Sequence, residues 1–212
     1  MKLTNRVLAL LAAIFLLPLA ALAEDFQADT DYRVLQAPVA TSAPEGKVEV
    51  VELFWYGCPH CYALEPALEQ WLQKKPENVH FVRVPAVFGK GWELDARVYY
   101  AAEAMGVLDK IHRPYFDEIH SKKRNRPKSK EEVAEFFATL GVDKDAFLKT
   151  FDSFAVETKL RRSQELVKRY GADGVPAMII NGKYETNNPL AKDSGRLFQI
   201  VDFLVQKESQ SG

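Results

Sequence analysis

The chain has 212 residues, 47% hydrophobic and 27% charged, close to the roughly 45–50% apolar and about 25% charged content of an ordinary soluble globular protein. That balance excludes intrinsic disorder, collagen and coiled coil, and the length suits one or two domains with a real hydrophobic core. The two cysteines, Cys58 and Cys61, are no disulfide framework, because the loop they close is too short to stabilise much.

Residues 1–23 read as a signal peptide. Lys2 and Arg6 give a positive start, residues 7–17 an unbroken apolar run, and Ala21-Leu22-Ala23 a small-residue cleavage site. An uncleaved anchor is the alternative, but Pro18 interrupts a stretch already shorter than the ~20 residues of a spanning helix. The mature chain is expected to start at Glu24. Setting Lys2 and Arg6 aside from the 28 basic residues leaves 26 against 29 acidic ones, a net charge of −3, which argues against nucleic acid or an anionic membrane as partner. Export also implies an oxidising compartment.

Along the mature chain, residues 24–46 are polar, with a short strand-like piece at 32–35 that suits an edge. Residues 48–55 form a dense β-branched run, too continuous for a one-sided sheet, so a central strand covered on both faces is expected. After Cys58 the positions Leu64, Leu68, Trp71 and Leu72 recur at helical spacing, with a kink expected at Pro66, and residues 79–84 are strand-like again. This is a βαβ unit. From about 91 to 170 the pattern is helical: 94–105, 108–121, a helix opened by the Ser129/Glu132 capping box, a short one capped by Asp143, and a last one ending at Gly171. The β signal returns at 177–180 and 183–185, joined by the hairpin pair Asn181-Gly182, before a turn at Asn187-Asn188-Pro189 and a final helix over about 193–205. Strands flanking a block of helices predict one α/β domain with an all-helical insertion: residues 24–88 and 156–212 form the sheet-bearing parts and 89–155 the insertion.

Cys58-Pro59-His60-Cys61 falls between a strand end and a helix start. Zinc needs about four ligands, yet His80, His112 and His120 stand singly and there is no second Cys pair, so no metal is expected. Pro59 suits a first helical turn, and a redox dithiol is the reading that fits. A Cys58 sulfur at a helix opening meets unpaired amides and the positive end of the dipole, which favour the thiolate, and His60 adds to that field. Stabilising the reduced pair makes the disulfide an oxidant. Cys61, one turn in, is expected to be the less reactive partner.

These residues resemble the thioredoxin fold and, within it, the DsbA-type thiol:disulfide oxidases of the bacterial periplasm, themselves the reference case for a depressed active-site thiol. The likeness covers nearly all the mature chain: Cys-Pro-His-Cys-Tyr at 58–62, the helical block, and Gly174-Val175-Pro176-Ala177-Met178 followed by Asn181-Gly182-Lys183-Tyr184. It implies a cis Val175–Pro176 bond beside Cys58, with Val175 offering backbone groups to an extended substrate chain. It also implies unfolded exported polypeptides with free cysteines as substrates, a quinone-linked membrane reoxidant of the DsbB type, no cofactor, and a periplasmic monomer.

Glu52 lies inside the central strand, where burial raises a carboxyl pKa unless a cation answers it. Arg83 in the neighbouring strand is the candidate, with Glu65 a second carboxylate one turn after Cys61. Relatives keep charged groups below the dithiol as tuning or proton-transfer residues. A Lys is commoner where Arg83 stands, and Arg does not give up its proton, so a relay role falls to the carboxylates; a purely structural ion pair is the alternative. The basic run Lys122, Lys123, Arg124, Arg126, Lys128, Lys130 is expected to be a solvated linker; Phe88 and Trp92 offer an apolar rim to the active site, with core packing the commoner role of such aromatics. Competing functions are a reductase or isomerase using the same dithiol, and a non-enzymatic peptide holdase or metal carrier.

Overall fold

The computed structural model describes residues 26–120 and 126–210. The expected signal peptide lies outside them, as do Lys122, Lys123 and Arg124 of the basic run. β1 is Arg33–Val34 and β2 is Val48–Phe54, buried at every position as a strand covered on both faces requires. β2 pairs in parallel with β3 (Val79–Pro85), with Glu52 opposite Arg83, and the crossover between them is α1 (Pro59–Lys74). On its other side β2 pairs antiparallel with β4 (Ala177–Ile180), which turns into β5 (Tyr184–Asn187). The sheet order among the described residues is β1-β5-β4-β2-β3.

Between β3 and β4 run α2 (Glu93–Ala104), α3 (Leu108–His120), α4 (Lys130–Thr139), α5 (Lys144–Phe151) and α6 (Phe154–Tyr170). After β5 come a one-turn α7 (Asn188–Ala191) and α8 (Ser194–Ser209). One sheet face buries Val50, Met178 and Ile180 under Leu64, Leu68 and Trp71 of α1 and Leu197, Val201 and Leu204 of α8. The other buries Val51, Leu53 and Ile179 under Val167 and Tyr170 of α6. A third cluster, around Val98, Ile111, Phe116, Phe137 and Phe147 of the helical block, takes in Phe54, Tyr56 and Cys61. The helices thus pack on the end of β2 where the cysteines sit.

Local chemistry explains the element ends. Ser129 accepts from the Glu132 amide at 3.2 Å, and the Glu132 carboxylate accepts from the Lys128 amide, one residue outside the reciprocal bond a capping box would make. Asp143 caps α5 through the Ala146 amide, and Gly171 ends α6 with φ of 64°. Pro66 lies inside α1 without ending it. One expectation is corrected. Asn187-Asn188-Pro189 does not form a simple turn: the Asn187 side chain accepts from the Leu190 amide at 3.1 Å and Pro189 occupies the first turn, so the segment starts a short helix.

The β4–β5 turn shows how tightly one position is specified. Asn181 and Gly182 have φ of 50° and 61°, the left-handed pair that favours Asn-Gly in a tight turn, and Lys183 completes the connection before Ile180 pairs with Tyr184. A Cβ on Gly182 would stand 1.9 Å from the Val39 carbonyl oxygen. Gly182→Ala is therefore expected to cost about 2 kcal/mol or more, from the left-handed backbone and the backbone clash together, whereas Gly106→Ala should cost about 1 kcal/mol. Gly106 has a similar φ but nothing within 4 Å of its Cβ position, and urea denaturation midpoints would separate the two.

Candidate active site

Cys58 is the N-cap of α1, with extended backbone and Pro59 in the first turn. The approach to it is tight: a Cβ on Gly57 would meet the Trp55 ring at 2.3 Å and Arg126 Nη1 at 2.6 Å. Both cysteines are free thiols, Cys58 7% exposed and Cys61 fully buried. Cys58 Sγ stands 3.5 Å from the Val175 carbonyl oxygen, and the Val175–Pro176 peptide is cis, so residues 117 apart in sequence meet at the sulfur.

The Cys58 thiol is drawn down to about 6, first by the Cys61 thiol donating to its sulfur. The backbone N–H groups of Cys61 and His60 and the charge of His60 act the same way against the opposing effect of burial. The helix opening is therefore real but second to the Cys61 S–H, a donor that spacing alone does not reveal. Burial pushes Cys61 well up, and its neighbours Cys58 and Glu52 add to that. At neutral pH the pair is one thiolate and one thiol, the state that makes the reduced form stable and its disulfide oxidising.

Two surfaces flank the sulfur. A mostly apolar cleft of about 360 Å³ is lined by His60, Asp173, Val175, Pro176, Asn188 and Pro189 among others. Phe88, 42% exposed, meets Trp92 edge-on at 5.2 Å, and Trp92 stacks on Trp55 at 3.9 Å while packing against the core under β2 and β3. Arg126 lies over the same Trp55 ring at 4.8 Å and pairs with buried Asp95 at 2.5 Å. For Arg126 the expectation of a solvated linker is corrected, since an aromatic face and a buried carboxylate hold it.

Below the dithiol the expected ion pair is present. Arg83 Nε donates to Glu52 Oε2 at 2.9 Å, and its Nη2 reaches both Glu65 oxygens at 3.3 and 3.1 Å. Glu52 and Glu65 are fully buried. Burial lifts Glu52 to about 7 despite the Arg83 charge. Glu65 is held below the usual carboxylate range although burial opposes it, because His112 and Arg83 both favour its anion.

Three residues join this cluster that sequence reasoning left apart. His112 Nε2 is 3.5 Å from Glu65 Oε1, and its Nδ1 is 2.7 Å from the Tyr56 hydroxyl. His120 Nε2 is 2.8 Å from the Tyr56 carbonyl oxygen. The histidines looked single because a lone His carries no ligand pattern, and their eight-residue spacing on the amphipathic α3 was the available signal.

The comparisons with known proteins agree with this geometry. A family model described as a DSBA-like thioredoxin domain matches residues 82–205. The thiol:disulfide interchange protein DsbA of Pseudomonas aeruginosa is 43% identical over 200 residues, covering 94% of each chain. That of Pseudomonas syringae is 44% identical over 200 residues, covering 94% of this chain and 92% of its own. The crystal structure of Pseudomonas aeruginosa DsbA superposes with a TM-score of 0.84 at 42% identity, over 89% of this chain and 97% of that one. With a thioredoxin-type sheet, a helical block on its end and an ionised cysteine against a cis-proline, the chain belongs to the DsbA family of thiol:disulfide interchange proteins and is a protein disulfide oxidoreductase.

Proposed function

We propose that this disulfide oxidase donates the Cys58–Cys61 disulfide to unfolded exported polypeptides that carry free cysteines. A substrate thiolate attacks Cys58 Sγ, the bond to Cys61 breaks, and Cys61 leaves as a thiolate that takes up a proton. The substrate's second thiolate then attacks its own sulfur in the mixed disulfide, and Cys58 leaves as a thiolate. Two electrons pass from substrate to enzyme, and a substrate disulfide forms. The observation that carries this direction is the Cys58 sulfur held at about 6: a stable thiolate is a good leaving group and favours the reduced enzyme. A reductase would need the opposite preference.

In this reading Val175 and Pro176 form the shelf for an extended substrate strand, with Val175 main-chain groups bonding it and the cleft beside His60 accepting its side chains. Glu52, Glu65 and Arg83 tune the dithiol from below. Residues 1–23 direct the protein to the periplasm, where a quinone-linked membrane partner of the DsbB type reoxidises it and where it acts as a monomer. No helix among the described residues is long and apolar enough to cross a membrane. Residues 24–88 and 156–212 make the thioredoxin-like domain, with 89–155 as its insertion.

Two measurements test these roles. Thiolate absorbance should titrate near 6, and His60→Ala should raise that value by about half a unit to one unit, since the imidazole is lost but the amide stays; no movement would remove the imidazole from the mechanism. The reduced protein should also be more stable to denaturant than the oxidised one. The Cys58 pKa is lowered on folding, so this advantage is present above the free-thiol pKa and shrinks as pH falls through about 6. The opposite order of stabilities would overturn the oxidase direction. For the buried cluster, Arg83→Leu leaves two carboxylates without a cation and is expected to cost about 3–5 kcal/mol at neutral pH, with much of the loss recovered at acid pH as the carboxyls protonate.

A further inference from the structure

Glu52 and Glu65 share one cation, so the buried group of three carries one negative charge too many, or one proton. The donors are divided unequally. Arg83 gives Glu65 contacts to both oxygens but gives Glu52 only one, to Oε2. Glu52 Oε1 is buried with no hydrogen-bond partner. A bare carboxylate oxygen in that position is expensive, and a protonated one is not.

His112 adds to the imbalance, and its ring can be oriented from chemistry alone. Tyr56 is fully buried and burial keeps its phenol protonated. A buried O–H needs an acceptor, and the one it has is His112 Nδ1 at 2.7 Å. The ring proton therefore sits on Nε2, which stands 3.5 Å from Glu65 Oε1. The opposite tautomer would aim a lone pair at a carboxylate. The other charged and titratable groups around the ring are Glu69 of α1, Arg83 of β3 and Tyr99 of α2. Burial and Arg83 oppose a second ring proton and outweigh Glu65, which favours one, so the ring stays neutral; its buried Nε2–H makes no full hydrogen bond and acts on Glu65 as a dipole from 3.5 Å.

We propose that Tyr56 and His112 are positioning residues that decide which of the two buried carboxylates holds their shared proton: by turning an N–H towards Glu65 they keep it ionised and leave the proton on Glu52, beneath Cys61. The inference rests on the oxidase reading for its use, because a protonated Glu52 is the acid that can return a proton to the Cys61 thiolate when the disulfide opens. In that step the O–H bond of Glu52 breaks, the S–H bond of Cys61 forms, and the negative charge passes to Glu52 beside Arg83. The proton's location is a property of the folded protein and can be measured without turnover.

The test is a pair of NMR titrations on the reduced protein. Nitrogen-15 shifts of His112 at neutral pH should show the neutral ring with its proton on Nε2; a charged ring, or one protonated on Nδ1, overturns the proposal in the wild type, before any variant is made. Carboxyl carbon-13 shifts, assigned with Glu52→Gln and Glu65→Gln, should show Glu52 protonated at a pH where Glu65 is ionised. In His112→Asn, which retains a group near the Nδ1 position but none at Nε2, the Glu65 titration should move up and that of Glu52 down by about half a pH unit or more. His112→Gln, whose amide reaches towards Glu65, should restore the wild-type order, and Tyr56→Phe, which frees the tautomer, should move Glu65 upwards. A proton on Glu65 in the wild type, or His112→Asn titrations that coincide with wild type, would sink it. If the titrations behave as expected but the pH profile of peptide oxidation stays fixed in His112→Asn, the proton placement stands and its use by the Cys61 step does not.

Discussion

A single ionised sulfur sets the terms for the molecule. Cys58 is held as a thiolate by donors that come from the single turn after it: the Cys61 thiol first, then the amides of Cys61 and His60. Each pKa unit by which a thiol is lowered is worth about 1.4 kcal/mol to the ionised form, so a short stretch of chain accounts for most of the bias against the disulfide. That stretch works only if α1 begins where it does. Pro59 in the first turn, the extended Cys58 backbone and the missing Cβ at Gly57, whose place the Trp55 ring takes, all serve that start.

The second constraint lies one layer down. A charged strand interior is costly, and here the cost is met by pairing Glu52 with the residue opposite it across the parallel ladder, Arg83. Because Arg83 also reaches Glu65 on α1, and His112 joins Glu65 to Tyr56, the same buried polar chain ties β2, β3, α1 and α3 together. The sheet and the helical block are joined by this network as well as by apolar packing, at the point nearest the cysteines. A partly satisfied network would be worse than a plain apolar core, and the one unpartnered oxygen, on Glu52, is where a proton resolves the imbalance.

Much of this was legible in the sequence, for identifiable reasons. β2 shows as a dense β-branched run because both of its faces are covered, and β3, partly buried at the end of the sheet order, shows through its valines at 79, 82 and 84. The hairpin at Asn181-Gly182 shows because only such a pair fits its backbone. The Glu52–Arg83 pair could be anticipated because a carboxylate in a central strand demands a cation and the parallel register supplies one. What stayed hidden was contact between elements distant in the chain. Nothing in Tyr56, His112 or His120 singly announces that α3 lies over the end of β2. Arg126 looked like one more charge in a basic run until Asp95 and Trp55 were found against it. The leading role of the Cys61 thiol is a matter of a rotamer, which spacing does not encode.

The two halves of the site come from opposite ends of the fold. Cys58 opens α1, four residues after β2 ends, whereas the Val175 carbonyl lies 117 residues later, just before β4 pairs beside that strand. Contacts of such long sequence separation form slowly, since the intervening chain must lose its freedom first. During biogenesis the sulfur is therefore made well before the Val175 carbonyl that comes to stand beside it. Both cysteines are present in a chain that still lacks β4, but the site as a geometric object is complete only when that strand pairs beside β2.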